Sequence, residues 1–262
     1  MDAIDHALAL AVLARPIHQG LRRPGQGLNQ ALDTDEARAA LRQAAALFDD
    51  SPGGAATEAV ERLLAAPVEP HDTLDQLHAR LFGHSLRGLV CPYETEYGAE
   101  APFRQSQDLA DIAGYYLAFG LTAAGSGEVE RLDHVACEFE YFEFLCTKQA
   151  WAIQQEDAEM LEVTRKAASD FLKDHLGRFG VAFGAALARE DPDGFHGRLG
   201  ELCVALLKGE CGRLGLNVGP EFMQMRSTED DGAPMACGSD ACPETDADEP
   251  DLVQIESRRQ AD

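Results

Sequence analysis

The chain has 262 residues, 45 % hydrophobic and only 7 % aromatic, with a formal charge of −24. That length builds one large domain or two small ones without staples. The acidity makes nucleic acid a poor partner; it would attract a basic one, such as a positively charged leader peptide, and on the plainer reading it serves only solubility.

Nearly every periodic stretch has helical spacing. Residues 1–14 place Ile4, Leu8 and Val12 at four-residue steps, and Asp2 and Asp5 stand where a secretory signal would be basic. Residues 15–30, with Pro16 and Pro24, read as a loop. Asp33 or Thr34 then caps a helix to about Asp50, its inner face Leu41, Ala44, Leu47 and Phe48. Residues 57–66 form a shorter helix around Val60, Leu63 and Leu64. Leu74, Leu77, Leu81 and Phe82 mark another that ends at Gly83.

Residues 84–104 read as a long loop, after which Ser106 caps a helix carrying Leu109, Ile112, Tyr116 and Phe119. Leu132, Val135, Phe139, Phe142, Cys146, Ala150 and Ile153 step by three and four. Further apolar residues lie off that stripe, so this helix is apolar over most of its girth and is expected at the centre. Two more helices follow, one through Met160 to Leu172 and one through Leu176 to Leu187, the latter weakened at its start by Gly177 and Gly180. The last carries Leu199, Leu202, Cys203, Leu206 and Leu207. The expectation is an all-α domain over residues 1–216.

Residues 217–262 hold 12 acids against 3 arginines, with four prolines, and read as a mostly disordered tail. No run of 18 apolar residues spans a membrane. Seven cysteines, an odd number spread along the chain, make no disulfide framework and point to a reducing cytoplasm.

No phosphate loop, dinucleotide fingerprint, zinc-protease motif or nucleophile elbow is present, so the chain reads as a non-enzyme with no cofactor of its own. Cys237 and Cys242 make a CxxxxC pair in the tail. They are weak metal or redox candidates, because a closed zinc site needs about four ligands. His71 and His78 lie two helical turns apart, too far for one ion.

The most informative segment is Cys91-Pro92-Tyr93-Glu94-Thr95-Glu96-Tyr97-Gly98, followed about forty residues later by Arg131-Leu132-Asp133-His134. Pro92 prevents regular helix there. On one reading, tyrosine faces line a groove while Glu94 and Glu96 meet arginines of a bound peptide through directional, charge-assisted forks. The plainer reading packs the tyrosines on the core and makes Asp133 a helix cap.

Leu81-Phe82-Gly83, Cys91-Pro92-Tyr93-Glu94, Asp133-His134 with Glu138, Phe139 and Phe142, and Phe171…His175-Leu176…Phe179 stand in this order. Together they resemble the TorD/DmsD/NarJ family of molybdoenzyme maturation chaperones, with Phe179 where tryptophan is more usual. The resemblance implies an all-α cytoplasmic chaperone, a monomer or swapped dimer. It would bind an apo-molybdoenzyme catalytic subunit and its twin-arginine leader before cofactor insertion. It also implies leader contacts at Leu81, Phe82, Pro92, Tyr93, Asp133 and His134, to which the loop reading adds Glu96. Two other readings stand beside it: a helical adaptor for some other basic peptide, and a small redox or metal protein built on Cys237 and Cys242.

Overall fold

The computed structural model describes residues 2–24, 32, 34–50, 53–66, 70–83, 88–98, 102–122 and 130–226. It is all-helical. Among the described residues nine α-helices run in chain order: α1 Ala3–Gly20, α2 Asp35–Phe48, α3 Ala55–Leu64, α4 His71–Phe82, α5 Pro102–Ala118, α6 Val135–Gln154, α7 Ala158–Phe171, α8 Gly177–Glu190 and α9 Phe195–Leu214. The described residues hold two isolated β-bridges and no longer strand. No described helix is long and apolar enough to cross a membrane.

Helix α6 is the hub, as its all-round apolarity predicts. Phe139, Phe142, Leu145 and Cys146 are buried, and α1 and α7 pack along it. The α1–α6 pair is antiparallel, since Arg15 and His18 bond Glu143 while Arg22 bonds Glu140. The expected loop over residues 15–30 is corrected here: α1 continues through Pro16 to Gly20. A mid-helix proline costs about 3 kcal/mol. Leu13, Ile17 and Leu21, each at most 1 % exposed, offset it at roughly 1.5–3 kcal/mol per fully buried aliphatic.

Helix α9 packs on α8, α3 and α1. Gly184 and Gly200 face each other at the α8–α9 crossing. A β-carbon on Gly200 would lie 2.5 Å from the Gly184 carbonyl oxygen, so only glycine allows this approach. Between α7 and α8 the helix does not break. Residues Leu172–Leu176 form a π-helical turn that joins them. Such turns shift the helix face by one residue and recur at functional sites.

Thr34 caps α2 by accepting from the Ala37 N–H, as expected. Ser106 does not cap α5. That helix starts at Pro102, where proline's missing N–H costs nothing. The contact-defined first unit runs to Arg226, ten residues beyond the composition boundary at 216. Residues 237 and 242 lie outside the described residues.

Candidate functional site

The segment of residues 91–98 is held on both sides. On one side it pairs with the residues entering α6: the Glu94 N–H donates to the Asp133 carbonyl (2.9 Å) and the Val135 N–H to the Pro92 carbonyl (2.8 Å), with Tyr93 opposite His134. Pro92 contributes no donor, and its carbonyl does the bonding. On the other side Tyr97 lies opposite Met225. A short 3-10 turn, Glu94–Glu96, connects the two pairings.

Asp133 is fully buried and is not a cap. Its carboxylate accepts Arg131 Nε at 3.0 Å and a terminal guanidinium nitrogen at 2.7 Å, a bidentate fork. It also accepts the Thr95 hydroxyl (2.7 Å) and N–H (3.2 Å). The cap is supplied instead by His134, whose Nδ1 accepts the Ala136 N–H at 3.1 Å. Burial, and then the nearby His78, push the His134 pKa down to about 3, so the ring is neutral. With Nδ1 accepting, its proton is assigned to Nε2. Tyr93 meets the His134 ring edge-on at 5.3 Å and takes the Arg131 guanidinium over its own face at 4.4 Å. Burial raises the Tyr93 pKa to about 12.

Arg131 also reaches Glu96 at 3.3 Å, and Gln105 donates to the same carboxylate oxygen at 2.9 Å. Burial lowers the Arg131 pKa, but Asp133 and Glu96 outweigh it and hold the guanidinium above its usual value. The loop carboxylates expected to meet a partner's arginines thus meet arginines of the chain itself, Glu96 with Arg131 and Glu94 with Arg178. Glu94, fully buried, accepts Arg178 at 2.5 Å and His175 Nδ1 at 3.1 Å. His175 sits in the π-turn, and its Nε2 lies 3.1 Å from Asp111. Burial disfavours its charge, yet the two carboxylates win and raise its pKa. Beside Glu94 lies Glu138, fully buried, with neither carboxyl oxygen in hydrogen-bonding geometry. Burial, and then the charge of Glu94, keep it protonated, well above the usual carboxylate range.

Leu81 and Phe82 are core residues, 0 % and 4 % exposed. Phe82 stacks on Phe183 at 6.3 Å and takes the edge of His78 at 4.7 Å. The Val90 N–H donates to the Leu81 carbonyl (2.8 Å), which ties α4 to the loop. Thus the structure brings Pro92, Tyr93, Glu96, Asp133 and His134 into one network, with Leu81 and Phe82 beneath its entry. Of the seven, Tyr93 alone is half-exposed; the others are buried. Sequence reasoning missed Thr95, Gln105, Asp108, Asp111 and Arg178. The one available signal was the His175–Arg178 spacing, a single helical turn that aims both side chains the same way.

No group of three or more His, Cys, Asp or Glu side chains among the described residues could hold a metal ion. The arrangement orders a loop and buries charge. Its exposed features are the Tyr93 ring with Arg131 over it and the carboxylate of Asp111.

A search of curated proteins finds no match. The family described as nitrate reductase delta subunit matches residues 46–185, more than half of the chain. The matched stretch runs from the end of α2 into α8 and contains the whole loop, the Asp133-His134 pair and the π-turn. The chain therefore belongs to the nitrate reductase delta subunit family, within the TorD/DmsD/NarJ chaperones that mature molybdenum enzymes.

Proposed function

We propose that this chain binds the twin-arginine leader of an apo-molybdoenzyme catalytic subunit in the cytoplasm and holds the subunit until its cofactor is inserted. It acts as a chaperone and not as a catalyst. The observation that carries this reading is the loop of residues 91–98, pinned between α6 and Met225 by buried charge, with the half-exposed Tyr93 ring at its surface and the exposed Asp111 carboxylate of α5 bonded to the same His175 as Glu94. A rigid loop loses little entropy when an extended peptide settles on it. The net charge of −24 attracts a basic leader.

Most of the positions expected to touch the leader are buried here, so we assign them two roles. Tyr93 contacts the peptide directly. Leu81, Phe82, Pro92, Glu96, Asp133 and His134 fix the loop that presents it. Calorimetry with a synthetic peptide bearing paired arginines followed by an apolar stretch tests this. Affinity should fall as salt rises, because exposed charge contacts are screened. It should fall again when the pair becomes lysine, which cannot form the fork. Equal affinity for a scrambled peptide of the same charge rejects specific recognition.

A further inference from the structure

After Leu214 the chain turns back across the bundle. The Gly219 N–H donates to the Gly177 carbonyl at 2.9 Å. Further on, the Gly98 N–H donates to the Gln224 carbonyl and the Arg226 N–H to the Glu96 carbonyl, each at 2.8 Å. These two bonds frame Tyr97 and Met225 as an antiparallel, non-hydrogen-bonded pair. Residues 224–226 are thus a short strand laid on the free edge of the loop, whose other edge is taken by Asp133 and His134. The Arg226 guanidinium, its side chain only 12 % exposed, reaches to 3.9 Å from Asp108, and Arg178 approaches the same carboxylate at 3.6 Å.

The added strand is only partly buried, with Met223 and Met225 against the core. None of residues 217–226 is fully buried, and Phe222 stands 73 % exposed. Segments with few buried contacts are the first to open. The strand also lies outside residues 46–185, where the family match falls.

We propose that the edge formed by the Glu96 carbonyl, the Gly98 N–H and the Asp108 carboxylate is a strand-addition site for an extended, arginine-bearing stretch of the client, and that the chain's own residues 223–226 occupy it until displaced. This deepens the leader reading above and rests on it. The chemistry of the occupant is the argument. What sits there is an extended backbone that exchanges two hydrogen bonds, an unbranched apolar side chain opposite Tyr97, and an arginine directed at an acid. Main-chain pairing of this kind gives affinity with little demand on sequence, and the arginine supplies the selection.

The test uses the full chain, its Arg226→Ala variant and two probes. One probe is a free peptide of residues 219–226; the other is a synthetic peptide with paired arginines followed by leucines. Weakening the internal strand should raise affinity for both probes about tenfold, the scale of one charge-assisted hydrogen bond. Asp108→Asn should lower affinity for the paired-arginine probe in the Arg226→Ala background, where no internal arginine competes for it. Hydrogen exchange of the Arg226 amide in the unsubstituted chain should quicken when the paired-arginine probe saturates. An amide still protected at saturation, or unchanged or lower affinity in Arg226→Ala, overturns the proposal. Binding of the 219–226 peptide without the paired-arginine probe keeps the edge as a strand-addition site and removes the leader as its occupant. Failure of both probes with Arg226→Ala removes the edge itself.

Discussion

Replacing Asp133 with asparagine separates a structural network from a helix cap. As a cap, Asp133 would tolerate asparagine almost silently, because both residues accept from helix N–H groups equally well. The structure predicts otherwise. The carboxylate takes four donors, two of them from the Arg131 fork. Asparagine turns one acceptor oxygen into a donor that faces other donors. Breaking a fully buried ion pair costs about 3–5 kcal/mol. Arg131 keeps Glu96 at 3.3 Å, and its side chain is 29 % exposed, so its charge is not stranded. The expected loss is therefore about 2–3 kcal/mol, between a single hydrogen bond and a broken buried pair. Urea denaturation reads it as a midpoint lowered by roughly 1 M at an unchanged slope of about 2–3 kcal/mol/M. Arg131→Met combined with Asp133→Asn should cost well under the sum of the two, with a coupling of about 1–2 kcal/mol. A midpoint within about 0.2 M of the parent, equivalent to under ~0.5 kcal/mol, would return Asp133 to a capping role and refute the network.

Stability should fall as pH rises above about 6.5. Glu138 keeps its proton in the folded chain, while the unfolded carboxyl releases it near 4.5, so its contribution declines above that pH. His175 has a raised folded pKa, so its contribution is complete below about 6.5 and disappears as pH climbs through the folded value. Glu138→Gln should flatten the fall above about 6.5 and steepen the rise below it, and His175→Gln should flatten only the fall; thermal melts across pH read both. At the acid end His134 and His196, each held neutral with a pKa near 3, withdraw stability as pH falls below 6.5. Gly88→Ala should destabilise by about 1–3 kcal/mol, because the new β-carbon would lie 2.3 Å from the Phe82 carbonyl carbon, a backbone atom that cannot step aside. Phe82→Ala should cost about 3–5 kcal/mol in denaturant titration, since its ring is 4 % exposed between Phe183 and His78.

The helices were legible because one apolar stripe at helical spacing suffices to predict one buried face. The hub role of α6 followed from its apolar girth, and Gly83 marked the end of α4. The errors fell where tertiary burial overrules local rules. Pro16 reads as a breaker until Ile17 and Leu21 are seen against the bundle. Ser106 reads as a cap until Pro102 is seen to start the helix. The site was legible as an address and not as a set of contacts. The tyrosines, the acids and the Asp133-His134 pair do converge. However, the partners of Glu94 lie 81 and 84 residues away, at His175 and Arg178, and no local pattern encodes such distances. The tail expectation placed residues 217–226 outside the fold because they open a long stretch that is acidic and carries four prolines. They attach through backbone bonds, which composition does not report, and through Met223 and Met225 packed against the core.

Purification of the tagged full-length chain from its native cell tests the chaperone reading most directly, with mass spectrometry of whatever accompanies it and metal analysis of the complex. A molybdoenzyme catalytic subunit should co-purify with its leader intact and without molybdenum, and the paired-arginine peptide should release it. Recovery of that subunit already loaded with molybdenum, or of other basic proteins with no molybdoenzyme among them, would contradict a role before cofactor insertion.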